Sequence, residues 1–250
     1  MFAERFVSLE GAFNVRDLGG LPTTEGRLVR TGRVFRADSP SGLTEADKSV
    51  VSSLQLAHVI DLRSGPEADE GSWAVHPDMR RTLFEIIDPA KHPHPSNNAA
   101  LPAIADHEAF AQRYVRRLDE GGPKLAAAAQ ALTRSVDEGV IFHCSAGKDR
   151  TGLLAAFVLT AIGVDREHVI ADYGASDEPM ERKFAFHQAN PDTMPFDLSK
   201  VPPMMLRVPS PVMRRLLDLA DDRWGGIVAR FQECGFSDDD VTELRGKLLV

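Results

Sequence analysis

The chain has 250 residues, of which 43% are hydrophobic and 26% charged, a composition typical of a globular protein the size of one large domain. Its formal net charge of −8 argues against binding to nucleic acid. The sequence contains no run of 18 apolar residues and no basic-then-apolar N-terminus, so we expect no membrane span, no signal peptide and a cytoplasmic location, with leaderless export and oligomeric state left open.

The first part of the chain alternates between strand and helix patterns. Apolar pairs within residues 27–37 predict a short hairpin, and further strands are predicted at 57–62 and 81–86. Thr44, with Asp47 three residues later, predicts a helix that begins with a capping box. Helices alternating with strands indicate an α/β fold.

The middle of the chain is irregular and then helical. Residues 88–104 are rich in Pro, His, Asn and Ala, which predicts an exposed loop. His92 and His94 lie in this loop, but no third ligand accompanies them, so we expect no metal site. Helices are predicted over 107–119 and 123–137.

The last third of the chain predicts mainly helices. Gly163 should end one helix and Asp165 should cap the next. Ser237, followed by three aspartates that suit a helix N-terminus, predicts the start of the final helix.

The most informative stretch, residues 143–152, reads His-Cys-Ser-Ala-Gly-Lys-Asp-Arg-Thr-Gly. It places Cys144 and Arg150 at the ends of a C-x5-R loop, between a predicted strand at 140–143 and a helix that begins near Thr151. A helix N-terminus and nearby cations favour a thiolate, and free loop amides favour a bound anion. An arginine fork matches two phosphate oxygens. The pattern therefore predicts attack of sulfur on a phosphate.

Two other site types fit this stretch poorly. A Walker loop needs a glycine where Phe142 stands and a serine or threonine where Asp149 stands. A structural zinc site is disfavoured because the two cysteines, Cys144 and Cys234, lack C-x-x-C spacing.

Three further motifs precede the loop: Asn-Val-Arg-Asp-Leu-Gly-Gly at 14–20, Phe-Arg-Ala-Asp at 35–38 with Leu-Thr at 43–44, and Ile-Asp-Leu-Arg at 60–63. With these motifs and its Gly-Lys-Asp-Arg-Thr ending, the chain resembles the bacterial tyrosine/serine protein phosphatase family of the cysteine-dependent protein tyrosine phosphatase superfamily. The resemblance covers roughly the first 155 residues.

The resemblance implies a protein tyrosine phosphatase-like α/β fold, in which helices flank a central, mostly parallel sheet and the C-terminal part is helical. We expect one phosphatase domain over 1–250. The family can carry a helical lid, and residues 176–208 are the candidate for it. Ordinary packing of this segment against the sheet is the alternative.

The resemblance also implies a two-step reaction without metal or cofactor, in which Cys144 forms a phosphocysteine that water then hydrolyses. Phosphorylated proteins are the expected partners, with phosphotyrosine as substrate and phosphoserine, phosphothreonine or phosphoinositides as further substrates. A rhodanese-type sulfurtransferase and a non-catalytic phosphate-binding module remain alternatives. The residues expected to bind substrate are Ser145, Ala146, Gly147, Lys148, Asp149, Arg150 and Arg63.

Because the chain is acidic overall, an anionic substrate requires a local basic site. That site would form if the motifs brought together five basic residues: Arg16, Arg36, Arg63, Lys148 and Arg150. Lys148 could pair with a second phosphate of the substrate, or it could point outward into solvent.

A general acid must protonate the leaving oxygen, and Asp149 and Asp61 are the candidates. Asp149 is favoured because the loop cannot move far from the phosphate. Asp61 follows a predicted strand, at the end where ligands bind in open α/β sheets. The alternative for Asp61 is an ion pair that anchors the loop of Arg63 or holds Arg16.

Overall fold

The computed structural model describes residues 3–88, 104–190 and 201–250. Within them, one sheet has the strand order β1-β2-β5-β3-β4. β1 pairs antiparallel with β2, and every other pair is parallel. The predicted α/β fold with a mostly parallel sheet is therefore confirmed. The strands are β1 (Arg16–Asp17), β2 (Val34–Ala37), β3 (His58–Asp61), β4 (Arg80–Leu83) and β5 (Val140–His143).

Helices cover both faces of this sheet. In chain order they are α1 (Glu45–Ser53), α2 (His107–Ser135), α3 (Arg150–Ala161), α4 (Arg166–Gly174), α5 (Asp177–Ala189), α6 (Pro203–Leu206), α7 (Ser210–Trp224), α8 (Ile227–Glu233) and α9 (Asp238–Leu248). Short 3₁₀ helices lie at Ala3–Arg5, Gly65–Asp69 and Val136–Glu138.

Alternating side chains of the central strand divide the core in two. Val140 and Phe142 of β5 point into the larger cluster, which is formed mainly with α2, α3 and α7. Ile141 points into the smaller cluster, which includes Val51 of α1 and the fully buried Trp73. This period of two follows from strand geometry. It fixes β5, and with it the start of the C-x5-R loop, between two packed layers.

The predicted hairpin at 27–37 is wrong. Leu28 exchanges backbone hydrogen bonds with Val250, and Arg30 donates to the carbonyl of Leu248. β2 instead pairs with β1 and β5. The backbone groups near residue 28 therefore form hydrogen bonds with the C-terminal end of the chain, a partner that local alternation of apolar residues does not reveal.

The two helices predicted at 107–119 and 123–137 are one continuous helix, α2. Gly121 and Gly122 inside it are sites of close approach: a Cβ on Gly121 would lie 2.9 Å from the carbonyl oxygen of Ile86, and one on Gly122 would lie 2.6 Å from Cys234 Sγ. Pro123 costs a helical hydrogen bond, but the packing of this long amphipathic helix outweighs that loss.

The other helix starts follow the sequence. Thr44 and Asp47 form the predicted capping box of α1. Asp165 caps α4 by accepting from the amide of Glu167, and Ser237 caps α9. The predicted exposed loop at 88–104 and its two histidines lie almost entirely outside the described residues.

Among the described residues, none of the helices is long and apolar enough to cross a membrane. α5 and α6 lie in the segment proposed as a lid, but 191–200 is outside the described residues. The lid therefore stays a prediction.

Candidate active site

The C-x5-R loop runs from the end of β5 to the start of α3, so the helix N-terminus faces into it. Gly147 has φ +67°, and a Cβ on it would lie 2.7 Å from the carbonyl oxygen of Ala37. A side chain at this position would meet both backbone strain and a backbone clash. The loop therefore requires glycine here.

Residues of the two N-terminal motifs hold the outer side of the loop by its carbonyl groups. Asn14 Nδ2 donates to the carbonyl of Gly147 at 3.1 Å, and Arg36 Nη2 donates to the same oxygen at 2.8 Å. The amide of Ser39 donates to the carbonyl of Ser145 at 3.0 Å. With the carbonyl groups held outward, the loop amides are left to face the opposite side.

The inner side of the loop is rich in uncommitted donors. Within the described part of the chain, the N–H groups of 145–149 donate to no protein acceptor. The hydroxyl of Thr151 is buried and also has no hydrogen-bond partner there. Cys144, only 1% exposed, lies at the base of this loop. Buried donors without acceptors are rare in proteins, so these donors are available to an anion.

Glu67 fixes the guanidinium of Arg150. Arg150 Nη1 donates to Glu67 Oε2 at 2.7 Å, and Nη2 donates to Oε1 at 2.9 Å. Nη1 also donates to the carbonyl of Leu62 at 3.2 Å. Burial alone would lower the pKa of Arg150, but the charges of Glu67 and Cys144 raise it. The loop cation thus keeps its charge and a fixed plane.

Asp61 and Arg63 order the segment that carries Glu67. Asp61 accepts from Arg63 Nη2 at 2.8 Å and from Arg81 Nη2 at 2.7 Å. Arg63 Nε also donates to Asp61, while Nη1 and Nη2 donate to the carbonyls of Glu70 and Gly71 in this segment. All three nitrogens of the Arg63 guanidinium therefore have protein acceptors.

This geometry matches the alternative weighed for Asp61, anchoring of the Arg63 loop. Burial alone would raise the pKa of Asp61, but His143 and Arg63 stabilise its carboxylate and hold the pKa well below its usual range. His143 Nε2 lies 3.5 Å from Asp61 Oδ2, and Nδ1 lies 3.3 Å from the carbonyl of Cys144. A role for Asp61 in proton transfer, or for Arg63 in substrate binding, stays a prediction.

Asp149 accepts a hydrogen bond from Tyr114, which in turn contacts Tyr173. Tyr114 Oη on α2 donates to Asp149 Oδ1 at 2.7 Å, and Tyr173 Oη on α4 lies 2.9 Å from Tyr114 Oη. Burial alone would raise the pKa of Asp149, but the charges of Lys148 and Arg113 hold it below the ordinary value. Asp149 gives α3 no side-chain cap, and its carboxylate accepts from Tyr114 instead.

Lys148 is buried rather than solvated. Its ammonium group donates to the carbonyls of Met205 and Arg207 and lies 5.3 Å from the centre of the Phe110 ring. Burial lowers the pKa of Lys148, and Asp149 beside it acts in the opposite direction. The side chain therefore ties the loop to the end of α6.

The first two motif arginines do not line the site. Arg16 and Arg36 are fully buried and both contact Asp172 of α4, at 3.1 Å and 2.6 Å. Arg5 donates to the same carboxylate at 2.9 Å. The expected cluster of five cations at the phosphate is therefore wrong for these two residues, which support the loop from behind.

α5 also reaches the loop. Lys183 Nζ donates to Asp38 Oδ2 at 2.8 Å and to the carbonyl of Ser145 at 3.1 Å. The candidate lid segment therefore has a direct polar contact with the loop.

The profile of the tyrosine phosphatase family matches residues 7–250. The chain belongs to the tyrosine phosphatase family. Triple specificity protein phosphatase PtpB of Mycobacterium tuberculosis is 28% identical over 96% of this chain and 98% of its own length. A Cupriavidus necator protein described as a tyrosine-protein phosphatase is 30% identical over 95% of this chain and 86% of its own. A crystal structure of P. aeruginosa TpbA covers 59% of this chain and 71% of its own, at 16% identity and a TM-score of 0.32, which is too low to support an inference.

In this tyrosine phosphatase, then, Cys144, the loop amides, Asp149 and Arg150 lie at one site, and Lys148 is part of the same loop. Glu67 and Tyr114 were not predicted as site residues, because neither belongs to a motif. Their partners in the loop are 83 and 35 residues away. Among the described residues, no group of three or more His, Cys, Asp or Glu side chains is placed to hold a metal ion.

Proposed function

We propose that this tyrosine phosphatase hydrolyses phosphotyrosine in proteins, with Cys144 as nucleophile, Arg150 and the amides of 145–149 as phosphate ligands and Asp149 as general acid. The observation that carries the proposal is the set of unpaired loop amides facing Cys144, with Arg150 held in place by Glu67. Donors fixed before the substrate arrives stabilise charge that develops on the phosphoryl oxygens, so the chemistry needs no metal or cofactor.

The reaction has two steps. In the first, the Cys144 thiolate attacks phosphorus, the S–P bond forms, and the bond to the tyrosyl oxygen breaks as Asp149 protonates that oxygen. In the second, water attacks phosphorus, the Asp149 carboxylate takes a proton from that water, and the S–P bond breaks. Inorganic phosphate leaves and the thiolate is restored.

The lowered pKa of Asp149 fits this role once the charge of the substrate is counted. Lys148 and Arg113 favour the carboxylate. A phosphate dianion beside the same carboxyl group disfavours a second negative charge and raises the pKa. We therefore expect Asp149 to accept its proton as the complex forms.

We extend the proposal to phosphoserine, phosphothreonine and phosphoinositides as further substrates. The reactive groups contact the phosphate and its leaving oxygen, which all of these monoesters share. The similarity to a phosphatase named for triple specificity supports the same breadth.

The first test is hydrolysis of para-nitrophenyl phosphate with EDTA present. We expect the wild type to be active and Cys144→Ser to be inactive, since the hydroxyl is a far weaker nucleophile than a thiolate. An inactive wild type would favour a non-catalytic phosphate-binding module. A Cys144→Ser variant as active as the wild type would rule out the cysteine mechanism.

The second test assigns the acid. Asp149→Asn should slow hydrolysis of phosphates with poor leaving groups, such as phenyl or alkyl phosphate, by about 100-fold or more. It should slow para-nitrophenyl phosphate far less, because that leaving group departs without a proton. Equal losses on both substrates would assign Asp149 to loop architecture instead.

A further inference from the structure

One face of α2 runs along the C-x5-R loop and contacts successive loop residues. Phe110 lies against the ammonium group of Lys148, and Tyr114, one helical turn later, donates to Asp149. Residues spaced by three or four positions share a helix face. The next positions on this face belong to two arginines, at 113 and 117.

Arg117 is a cation without a counter-charge. Among the described residues it has neither an ion pair nor a hydrogen bond, and its side chain is partly exposed. Burial, together with the charges of Arg150 and Arg113, lowers its pKa to about 10, with Asp149 acting in the opposite direction. Arg117 follows Tyr114 by three positions and so lies on the face of α2 that contacts the loop, whose own arginine, Arg150, is already paired with Glu67.

Arg113 is similarly uncommitted. Its Nη1 lies 3.6 Å from the sulfur of Met205, a weak acceptor, and no carboxylate among the described residues pairs with it. Lys148, the residue that sequence alone would assign to a second anion, instead donates to main-chain carbonyls. The free positive charge beside the loop thus belongs to the two arginines of α2.

Like charges gathered at a partly buried place cost stability, and unpaired charges beside an active site mark a candidate ligand site. We propose that Arg113 and Arg117 form a second anion subsite, which binds an acidic side chain close to the phosphotyrosine of a peptide substrate. The proposal rests on the function proposed above. Its chemistry is the pairing of a carboxylate with an arginine fork, while the phosphate occupies the loop.

The net negative charge of the protein makes this pairing selective. The chain carries a formal charge of −8, so an acidic peptide is repelled by most of its surface. Only a local pair of cations can turn that repulsion into a preference. A neutral phosphopeptide gains nothing from the two arginines.

The test compares kcat/KM for two phosphotyrosyl peptides that differ only in flanking Glu or Gln residues. We expect the wild type to prefer the acidic peptide by about tenfold, the effect of one partly desolvated charge pair. The preference should weaken in high salt. Arg117→Gln should abolish most of the preference, Arg113→Gln should reduce it, and Arg117→Lys should keep part of it.

The matched control is Arg116→Gln, which removes the same charge from a neighbouring, more exposed position of α2. It should leave the acidic-to-neutral ratio at the wild-type value. Because an unpaired cation does not stabilise the fold, Arg117→Gln should not lower Tm. A lower Tm together with an unchanged ratio would make Arg117 a structural residue and overturn the proposal.

Two further outcomes separate the proposals. A wild type that hydrolyses both peptides equally at all salt concentrations would overturn the second subsite but leave the phosphatase mechanism intact. If Cys144→Ser instead kept its activity on both peptides, the cysteine mechanism itself would be overturned. If the Arg117→Gln and Arg113→Gln effects appeared only with a soluble inositol polyphosphate, the peptide subsite would also be overturned.

Discussion

At the scale of single residues, the positions of the reacting groups depend on side chains that do not react. Glu67 engages both terminal nitrogens of Arg150, and Tyr114 engages one oxygen of Asp149. Each therefore fixes the orientation of a group whose chemistry needs a defined direction. Displacement of a positioned group by about 1 Å can cost roughly 100-fold in rate.

Tyr114→Phe should raise the pKa of Asp149, because the hydroxyl donates to the carboxylate and so stabilises its ionised form. The limb of the pH–rate profile that reports Asp149 should move to higher pH, with the largest effect on poor leaving groups. Tyr173→Phe, one hydrogen bond further away, should produce a smaller shift. An unchanged limb in Tyr114→Phe would remove the positioning role.

Glu67→Gln should reduce kcat/KM by about 10- to 100-fold, since a neutral amide accepts at only one atom and releases one nitrogen of Arg150. Steady-state kinetics on para-nitrophenyl phosphate measures this loss. Glu70→Gln, an exposed acid of the same segment, serves as the control and should behave as wild type. Equal activity of both variants would show that Arg150 is positioned without Glu67.

At the scale of elements, the strand, loop and helix from β5 to α3 form the phosphate site, and Gly147 is the point where the loop turns. Gly147→Ala adds a Cβ at positive φ and 2.7 Å from a carbonyl oxygen. We expect near-complete loss of activity and a destabilisation well above the cost of the backbone conformation alone. That conformational cost is about 1–2 kcal/mol.

Gly26→Ala separates the two effects, because Gly26 has a similar positive φ of 80° but nothing within 4 Å of the added Cβ. It should lose only about 1–2 kcal/mol of unfolding free energy in urea and keep its activity. If Gly147→Ala cost no more than Gly26→Ala, the close approach to β2 would not constrain the loop.

The elements that sequence predicted are those specified locally. The capping box at Thr44 and the one at Ser237 each span only four residues, and β5 leads directly into a ten-residue motif. The errors arose where partners are distant: residues near 28 pair with the C-terminus, and α2 continues through Pro123 because its glycines fit against Ile86 and α8. Local patterns contain no information about such contacts.

The candidate site divides in the same way. The residues proposed to react form one short sequence motif, whereas the residues that contact them come from α2, α5 and the segment after β3. Lys148 illustrates the limit. The loop predicted a cation beside the phosphate, but the carbonyls that engage its ammonium group belong to Met205 and Arg207, more than 50 residues later.

At the scale of the whole molecule, Asp172 connects parts of the chain that are far apart in sequence. It binds Arg5 and Arg16 from the N-terminal segment and Arg36 from β2, and Arg36 also donates to the carbonyl of Gly147. Burial and the nearby charge of Arg36 lower the pKa of Arg16 to about 9, although Asp172 acts in the opposite direction. The carboxylate is therefore the shared counter-charge of three buried arginines behind the loop.

Asp172→Asn should lower the unfolding free energy by about 3–5 kcal/mol, because it leaves the buried arginines without their counter-charge. Asp218→Asn, which removes an exposed partner of Arg166, should cost less than about 1 kcal/mol. Urea midpoints at constant m-value measure both changes. Similar midpoints for the two variants would mean that the Asp172 cluster adds nothing beyond a surface ion pair.

The same cluster should set the response of the fold to acid. Burial would raise the pKa of Asp172, but Arg16 and Arg36 hold it far below its usual range. A depressed pKa in the folded state contributes stability that is fully present above the unfolded-state value of about 4 and is lost as pH falls below it. The unfolding free energy of the wild type should therefore be constant from about pH 7 to pH 5 and should fall steeply below about pH 4.

Asp172→Asn has a lower unfolding free energy at neutral pH and should show a shallower decline in acid, because one carboxylate fewer takes up a proton on unfolding. If the unfolding free energy fell with the same slope against pH in both proteins, the acid sensitivity would lie in other groups. The buried ion pair of Asp61 and Arg63 would be the next to test.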